Sequence, residues 1–274
     1  MACFIMSSFI SIAIASTSKS ISKRNMADPK VIKRQTEHHF DSSGLCTCIP
    51  FITKDELVKA PRIQLNKNVA PFVKTYIKKN GFFLGKTKRR TAAYFSIMDS
   101  VFNQTNIPLE LKYLAFIESG LKHNAISWAG AVGPWALMPV AAKQYGLKIS
   151  KHKDDRLDYY KSTHAAAALL TDLYDQYGDW LLVIAAYNCG PGGVQKAIKK
   201  SGSHNYWVLQ NFLPLETRMH VKKFIAVHYY FEEHGSLATL TKAETEKHIK
   251  AVETFVLSQT EKEKADSVSV LIAR

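Results

Sequence analysis

Apolar residues recur at helical spacing over most of this chain, whereas the strict alternation that marks β-strands is weak throughout. The strongest helical patterns lie at about 68–79, 91–104, 158–177, 180–187, 194–200 and 213–234. Residues 109–118 predict a short helix with a buried stripe. Residues 241–267 are charged and predict either a peripheral amphipathic helix or a mobile tail. The predicted fold class is therefore mainly α.

Glu118 departs from the pattern in its own helix. Leu111, Leu114 and Ala115 recur at i, i+3 and i+4 and define a buried stripe, and the next position of that stripe is Glu118. A carboxylate in apolar surroundings is poorly hydrated and tends to keep its proton, which is the state that a general acid needs. The alternative is a glutamate that bends out to water, because the serine and glycine that follow stop the helix there.

The chain is strongly basic, with a formal net charge of +14 over 274 residues. A basic surface favours a polyanionic partner, such as nucleic acid, an anionic membrane or an anionic wall polymer. The charges lie in short clusters and no nucleic-acid-binding module is recognisable, so nucleic acid is not a predicted partner. The four cysteines lack the spacing of a zinc site, and no metal is predicted.

Four short blocks follow one another between residues 118 and 221. They are Glu-Ser at 118–119, Gly-Pro-Trp-Ala-Leu-Met-Pro at 133–139, Ala-Tyr-Asn-Cys-Gly at 186–190 and Pro-Leu-Glu-Thr-Arg-Met-His-Val at 214–221. Taken singly, each is a loop or a helix end. In this order they resemble the lytic transglycosylases with a lysozyme-like SLT domain, in particular the membrane-bound lytic murein transglycosylase D group, over about residues 65–235.

The resemblance, together with composition, predicts a domain organisation. Residues 108–235 would form a lysozyme-like catalytic domain of the kind shared by goose-type lysozymes and lytic transglycosylases, and residues 51–107 a helical N-terminal extension. Residues 16–50 are rich in serine, lysine and histidine and predict a linker, while residues 236–274 predict a charged C-terminal tail. Residues 1–15 are mostly apolar and end in a small-x-small pattern. They favour a signal peptide, which would be atypical because the basic residues follow the apolar run; a disordered apolar tail or a misassigned start is the alternative.

The resemblance also implies roles for individual residues. Glu118 would be the catalytic acid and base. Ser127, nine positions further on, would help to hold the substrate near it. Met138 and Tyr187 match positions that line the sugar cleft, with Tyr187 also close to the catalytic carboxylate. Asn188 completes this predicted substrate-binding set and is expected to fix the turn at the edge of the cleft.

Two positions depart from the family pattern. Ala136 stands where the family has a glutamine, so one amide hydrogen bond to sugar should be missing; bulky Trp135 and Leu137 could already fill that space, which favours repacking around alanine. His220 stands where the family has a tyrosine. A histidine can still pack and form hydrogen bonds, but a tyrosine that helps to position Glu118 would be lost.

The implied reaction uses a single carboxylate. The glutamate protonates the glycosidic oxygen between N-acetylmuramic acid and N-acetylglucosamine while the substrate acetamido group assists at the anomeric carbon. The carboxylate then takes the proton of the muramyl C6 hydroxyl, and a 1,6-anhydro ring closes. Most glycosidases need two carboxylates, and this chain offers one convincing candidate. Neither a metal nor an organic cofactor is implied.

The resemblance places the protein in the cell envelope, periplasmic or associated with the outer membrane, with peptidoglycan glycan strands as its partner. Association with an envelope membrane is an open expectation, and no obligate protein partner is indicated. Two alternatives remain at this point. One is a lysozyme-type hydrolase of the same fold, which would leave a reducing end. The other is a catalytically weak protein that binds the cell wall, which the departures at Ala136 and His220 favour.

Overall fold

The helices predicted from apolar periodicity are present in the computed structural model, which describes residues 60–272 and side chains as far as residue 262. The α-helices are α1 (Ala70–Thr105), α2 (Lys112–Ser119), α3 (Pro139–Gln144), α4 (Tyr159–Tyr177), α5 (Trp180–Ser201), α6 (Tyr206–Leu209), α7 (Leu215–Glu232) and α8 (Lys242–Ile272). Single 3-10 turns lie at Leu109–Leu111, Asp155–Leu157, Gln210–Phe212 and Leu237–Thr239. Within these residues β-pairing is limited to isolated bridges, so the prediction of a mainly α fold is confirmed. The predictions for residues 1–15 and 16–50 lie outside the described residues.

The two helices predicted at 68–79 and 91–104 are wrong as separate elements, because they form one helix, α1, of 36 residues. The intervening segment lacks apolar periodicity and contains Gly81 and Gly85, which weaken a helix in isolation. Helix α7 packs across this segment: a Cβ atom on Gly85 would lie only 3.0 Å from the Tyr230 hydroxyl, and that hydroxyl donates to the Gly81 carbonyl over 3.3 Å. Tertiary packing therefore keeps the middle of α1 helical.

Helix α5 contains the segments predicted at 180–187 and 194–200, joined across a kink with non-helical backbone at Gly190. Asp179 caps the first half, since its carboxylate accepts the backbone N–H groups of Leu181 and Leu182. This first half is buried on all sides, as its continuous apolar sequence predicts. Burial decreases just before the kink, and Tyr187 to Gly190 are only partly buried at the edge of the core.

The hydrophobic core is one cluster that extends from α1 to the 3-10 turn before α8. Its largest fully buried side chains include Phe102 of α1, Trp135 of the loop before α3 and Phe224 of α7. Each such side chain contributes on the order of 1.5–3 kcal/mol by leaving water. Helix α1 and residues 108–235 therefore share one hydrophobic core, which extends across the domain boundary predicted at residue 107. That residues 51–107 and 108–235 differ in function stays a prediction.

Helix α8 is attached to the core at its first turn. The Glu244 carboxylate accepts hydrogen bonds from Trp207 Nε1 (3.0 Å) and the Thr241 backbone (2.9 Å), and Asp179 Oδ2 accepts the Lys242 backbone N–H over 2.7 Å. Of the two forms predicted for 241–267, the structure therefore has the helix. Over residues 60–272, no helix combines the length and apolar character needed to cross a membrane.

Candidate active site

Glu118 lies in the last turn of α2, at the end of the apolar stripe that the sequence defines. Leu111, Leu114 and Ala115 of that stripe are fully buried. The Glu118 side chain is 17% exposed, so it does not extend into water as the alternative interpretation expected. It points towards α7 instead, where it meets a partner.

That partner is His220, whose Nε2 lies 2.7 Å from Glu118 Oε1. The His220 side chain is only 10% exposed, and its Nδ1 atom has no hydrogen-bond partner among the described residues. The family's tyrosine is absent, but the histidine forms the hydrogen bond that the sequence analysis allowed for. An imidazole on α7 reaches the carboxylate and supplies the contact.

The four sequence blocks meet through a closed ring of side-chain hydrogen bonds. The bonds join Ser119 Oγ to the Pro134 carbonyl (2.7 Å), the Tyr187 hydroxyl to the Trp135 carbonyl (2.6 Å), Thr217 Oγ1 to Asn188 Oδ1 (2.8 Å) and His220 Nε2 to Glu118 Oε1 (2.7 Å). Each block contacts the next, and the last returns to the first. This arrangement, called the block ring below, fixes the end of α2 relative to the loop before α3, the kink of α5 and the start of α7.

Arg156 anchors the loop between α2 and α3 from behind. Its Nη1 donates to the carbonyls of Gly130 (3.2 Å) and Leu137 (3.0 Å), and its Nη2 pairs with Asp154 over 2.7 Å. Hydrogen bonding from the Arg156 side chain holds the pKa of the Asp154 carboxyl below its usual range. Gly133 has φ +86°, and a Cβ atom there would lie 2.0 Å from the Arg156 carbonyl oxygen, so only glycine fits.

The side chains around Ala136 alternate between core and surface. Trp135 is fully buried and donates from Nε1 to Thr163 Oγ1 over 2.9 Å, and Leu137 is 2% exposed. Ala136 lies between them, partly exposed and with φ +47°. Both bulky neighbours point into the core, so neither fills the space beside Ala136, and the reason for expecting repacking does not hold.

Tyr187 and Asn188 belong to the block ring. Burial raises the pKa of the Tyr187 hydroxyl well above its ordinary value, and the Glu118 carboxylate raises it further, so the phenol stays neutral and can donate. Asn188 accepts from Thr217, which fits the expectation that it fixes the turn. Direct contact of either residue with sugar stays a prediction.

Ser127 and Met138 lie outside the block ring. Ser127 Oγ accepts the Ala131 backbone N–H over 3.0 Å and so closes the loop that follows α2. Met138 is 45% exposed at the start of α3. Their predicted roles in substrate binding remain predictions.

The sequence of this chain is similar to those of known proteins. Residues 102–210 match the model of the transglycosylase SLT domain. The chain is also 36% identical over 154 residues to membrane-bound lytic murein transglycosylase D of Escherichia coli strain K12, an alignment that covers 54% of this chain and 34% of that protein. The chain thus spans about a third of the length of that curated relative.

Solved structures support the fold. The 70 kDa soluble lytic transglycosylase of Escherichia coli superposes with a TM-score of 0.50 and 20% identity, over 66% of this chain and 33% of that one. A 70 kDa soluble lytic transglycosylase in complex with bulgecin A gives the same TM-score and identity over 62% and 31%. The prediction of a lysozyme-like, lytic-transglycosylase fold is confirmed.

Glu118 borders a cavity of about 590 Å³ between α1, the end of α2 and the loop that follows α2. The α1 wall consists of Tyr76, Phe83 and Arg90, which all precede residue 102. None of these three residues belongs to the set predicted from the sequence motifs. Their spacing of seven places them on one helix face, but that face carried no family motif to mark it.

Proposed function

We propose that this protein is a lytic transglycosylase that cleaves the β-1,4 bond between N-acetylmuramic acid and N-acetylglucosamine in peptidoglycan. The observation that carries the proposal is a single carboxylate, Glu118, held at a cavity edge by His220 and joined to the block ring of an SLT domain. The name of the Escherichia coli relative, a lytic murein transglycosylase, supports the same chemistry.

The proposed reaction has two steps. Protonated Glu118 donates to the glycosidic oxygen as the bond to the muramyl C1 breaks and the N-acetylglucosamine end leaves, with the acetamido oxygen of the muramyl residue bonding to C1. The carboxylate then accepts the proton of the muramyl C6 hydroxyl, O6 bonds to C1, and the acetamido group is released. The product carries a 1,6-anhydro ring, the glutamic acid is regenerated and no water is consumed.

The charge of the site supports transglycosylation over hydrolysis. Hydrolysis with inversion needs a second carboxylate to activate water, and hydrolysis with retention usually needs one as nucleophile. Glu118 is the only acidic side chain among the described residues that line the cavity. The departure at His220 gives less support to the alternative of a weak wall-binding protein, because the histidine forms a hydrogen bond to Glu118.

The masses of the released muropeptides test this proposal. The purified full-length chain is incubated with murein sacculi, and the released muropeptides are analysed by mass spectrometry. We expect 1,6-anhydromuramyl ends. Reducing ends, each heavier by one water molecule, would assign the chain to the hydrolases, and the absence of released products together with tight binding to sacculi would assign it to the wall-binding proteins.

A peptidoglycan substrate places the site of action in the cell envelope. Periplasmic or outer-membrane association is part of the same proposal, and the basic net charge of +14 supports attraction to anionic wall and membrane surfaces. Fractionation of cells that express the full chain tests it. Recovery in the cytoplasmic fraction alone would contradict it.

A further inference from the structure

One face of α1 forms a wall of the Glu118 cavity and lies outside the SLT domain match. Tyr76, Phe83 and Arg90 follow one another at intervals of seven residues along this face, and we call them the α1 stripe. At 1.5 Å per residue the stripe is about 21 Å long. Phe83 is 55% exposed and lies 6.3 Å, between ring centroids, from Phe116 of α2.

The cavity is positively charged. Lys122, from the loop after α2, and Lys223 of α7 line it together with Arg90. All three side chains are exposed, and none forms an ion pair with a carboxylate within residues 60–262. Glu118 is the only acid in the described lining, and it is engaged by His220.

We propose that the α1 stripe, with Lys122 and Lys223, binds the peptide stems of peptidoglycan; the proposal rests on the function proposed above. Stem carboxylates pair with Arg90 and the two lysines, and the apolar parts of the stem pack on Phe83. An extended stem of four residues spans about 13–14 Å, which the stripe accommodates with room for the sugar at Glu118. The chain would then prefer strands that carry stems.

The experiment measures binding without turnover. The full chain with Glu118→Gln is titrated with stem-bearing glycan strands and with strands from which an amidase has removed the stems. Arg90→Gln with Lys223→Gln should weaken binding to stem-bearing strands by about tenfold and change binding to stripped strands by less than about twofold, the size expected when two partly exposed ion pairs are lost.

The chain offers matched controls. Arg89→Gln with Lys222→Gln removes the same two charges from neighbouring positions that do not line the cavity. Phe83→Ala should weaken binding to stem-bearing strands, whereas Phe82→Ala should not, although Phe82 is 90% exposed. Melting temperatures of all variants show whether they fold alike.

Three outcomes would overturn the proposal: no preference of the parent protein for stem-bearing strands, equal losses on both kinds of strand, or equal losses in the control variants. The last two would indicate general attraction of a basic protein to a polyanion. Stem-dependent binding without 1,6-anhydro products from the unsubstituted protein would retain the stem site and reject the chemistry. The converse result would retain the chemistry and reject the stem site.

Discussion

The block ring, through Glu118 and Ser119, borders the same cavity as the α1 stripe, but the two are built differently. The hydrogen-bonding side chains of the ring are buried or partly buried and bond to backbone or to one another, as Tyr187 does to the Trp135 carbonyl. The cationic residue of the stripe, Arg90, is exposed and without an ion pair among residues 60–262. Catalysis depends on a fixed carboxylate, whereas recognition of a flexible, charged ligand depends on accessible charge. Substitutions should therefore change rate or stability at the ring and affinity at the stripe.

The largest expected effect is on turnover at the centre of the ring. Glu118→Gln keeps an oxygen that can accept from His220, so the fold should persist, but it removes the transferable proton. General acid catalysis contributes on the order of 10²–10⁴ in rate, and release of anhydromuropeptides should fall by at least that factor. Glu110→Gln is the control. Release at the parent rate by Glu118→Gln would reject the assignment.

A second prediction compares two glycines of the loop that Arg156 anchors. Gly133 and Gly130 both have φ +86°, but only at Gly133 would a Cβ atom meet backbone. Gly130→Ala should cost about 1–2 kcal/mol of unfolding free energy from backbone strain alone. Gly133→Ala should cost roughly 2 kcal/mol more, because the loop must move away from Arg156. Denaturant unfolding measures both, and equal costs would contradict the close packing behind this loop.

The third prediction concerns pH and the buried part of α7. Burial lowers the pKa of His228 from 6.5 to about 3, with His234 contributing; its Nε2 lies 2.8 Å from Ser236 Oγ. The unfolded chain therefore binds this proton below about pH 6.5 while the folded protein does not. Unfolding free energy should fall by up to about 1.4 kcal/mol per pH unit between pH 6.5 and 3 from this group.

Urea unfolding at a series of pH values checks this linkage. His228→Gln should remove most of that slope, and His234→Gln, at an exposed position, should remove little of it. Parallel slopes for the parent protein and His228→Gln would show that other groups govern acid destabilisation.

The fourth prediction tests the contact that connects α7 to the catalytic residue. His220→Phe removes a hydrogen bond to a carboxylate, worth about 1.5–3 kcal/mol when one partner is charged, so kcat should fall roughly 10–100-fold. His220→Tyr should recover part of the loss, because its hydroxyl can donate to Glu118. Similar melting temperatures would assign the effect to positioning. A His220→Phe variant with the parent kcat would show that Glu118 needs no partner.

The smallest expected effect is at Ala136. Because Trp135 and Leu137 point into the core, Ala136→Gln should be accommodated, with a change in unfolding free energy below about 1 kcal/mol, the usual range for surface substitutions. The added amide should strengthen binding of a chitooligosaccharide by about one hydrogen bond, roughly 0.5–1.5 kcal/mol. A marked loss of unfolding free energy in Ala136→Gln would show instead that the surrounding residues have repacked around the alanine.

The sequence by itself determined the mainly α class, the approximate limits of α4 and α7, and the position of Glu118 on an apolar stripe. These follow from local periodicity, which is readable wherever one face of a helix is buried. The order of the four blocks also indicated the resemblance to lytic transglycosylases. The sequence did not predict that α1 is continuous. A segment with two glycines and no apolar periodicity predicts a helix break, and only the packing of α7 against it shows why the helix continues.

Only the tertiary structure decided how the site is assembled. His220 and Glu118 are 102 positions apart, and their contact depends on where α7 crosses the end of α2. Tertiary packing also places Arg156 behind the loop and the α1 stripe beside the cavity. No pattern in the neighbouring sequence predicts either role. Local patterns specify which face of a helix is buried, but the partner of that face is set by packing of the whole core.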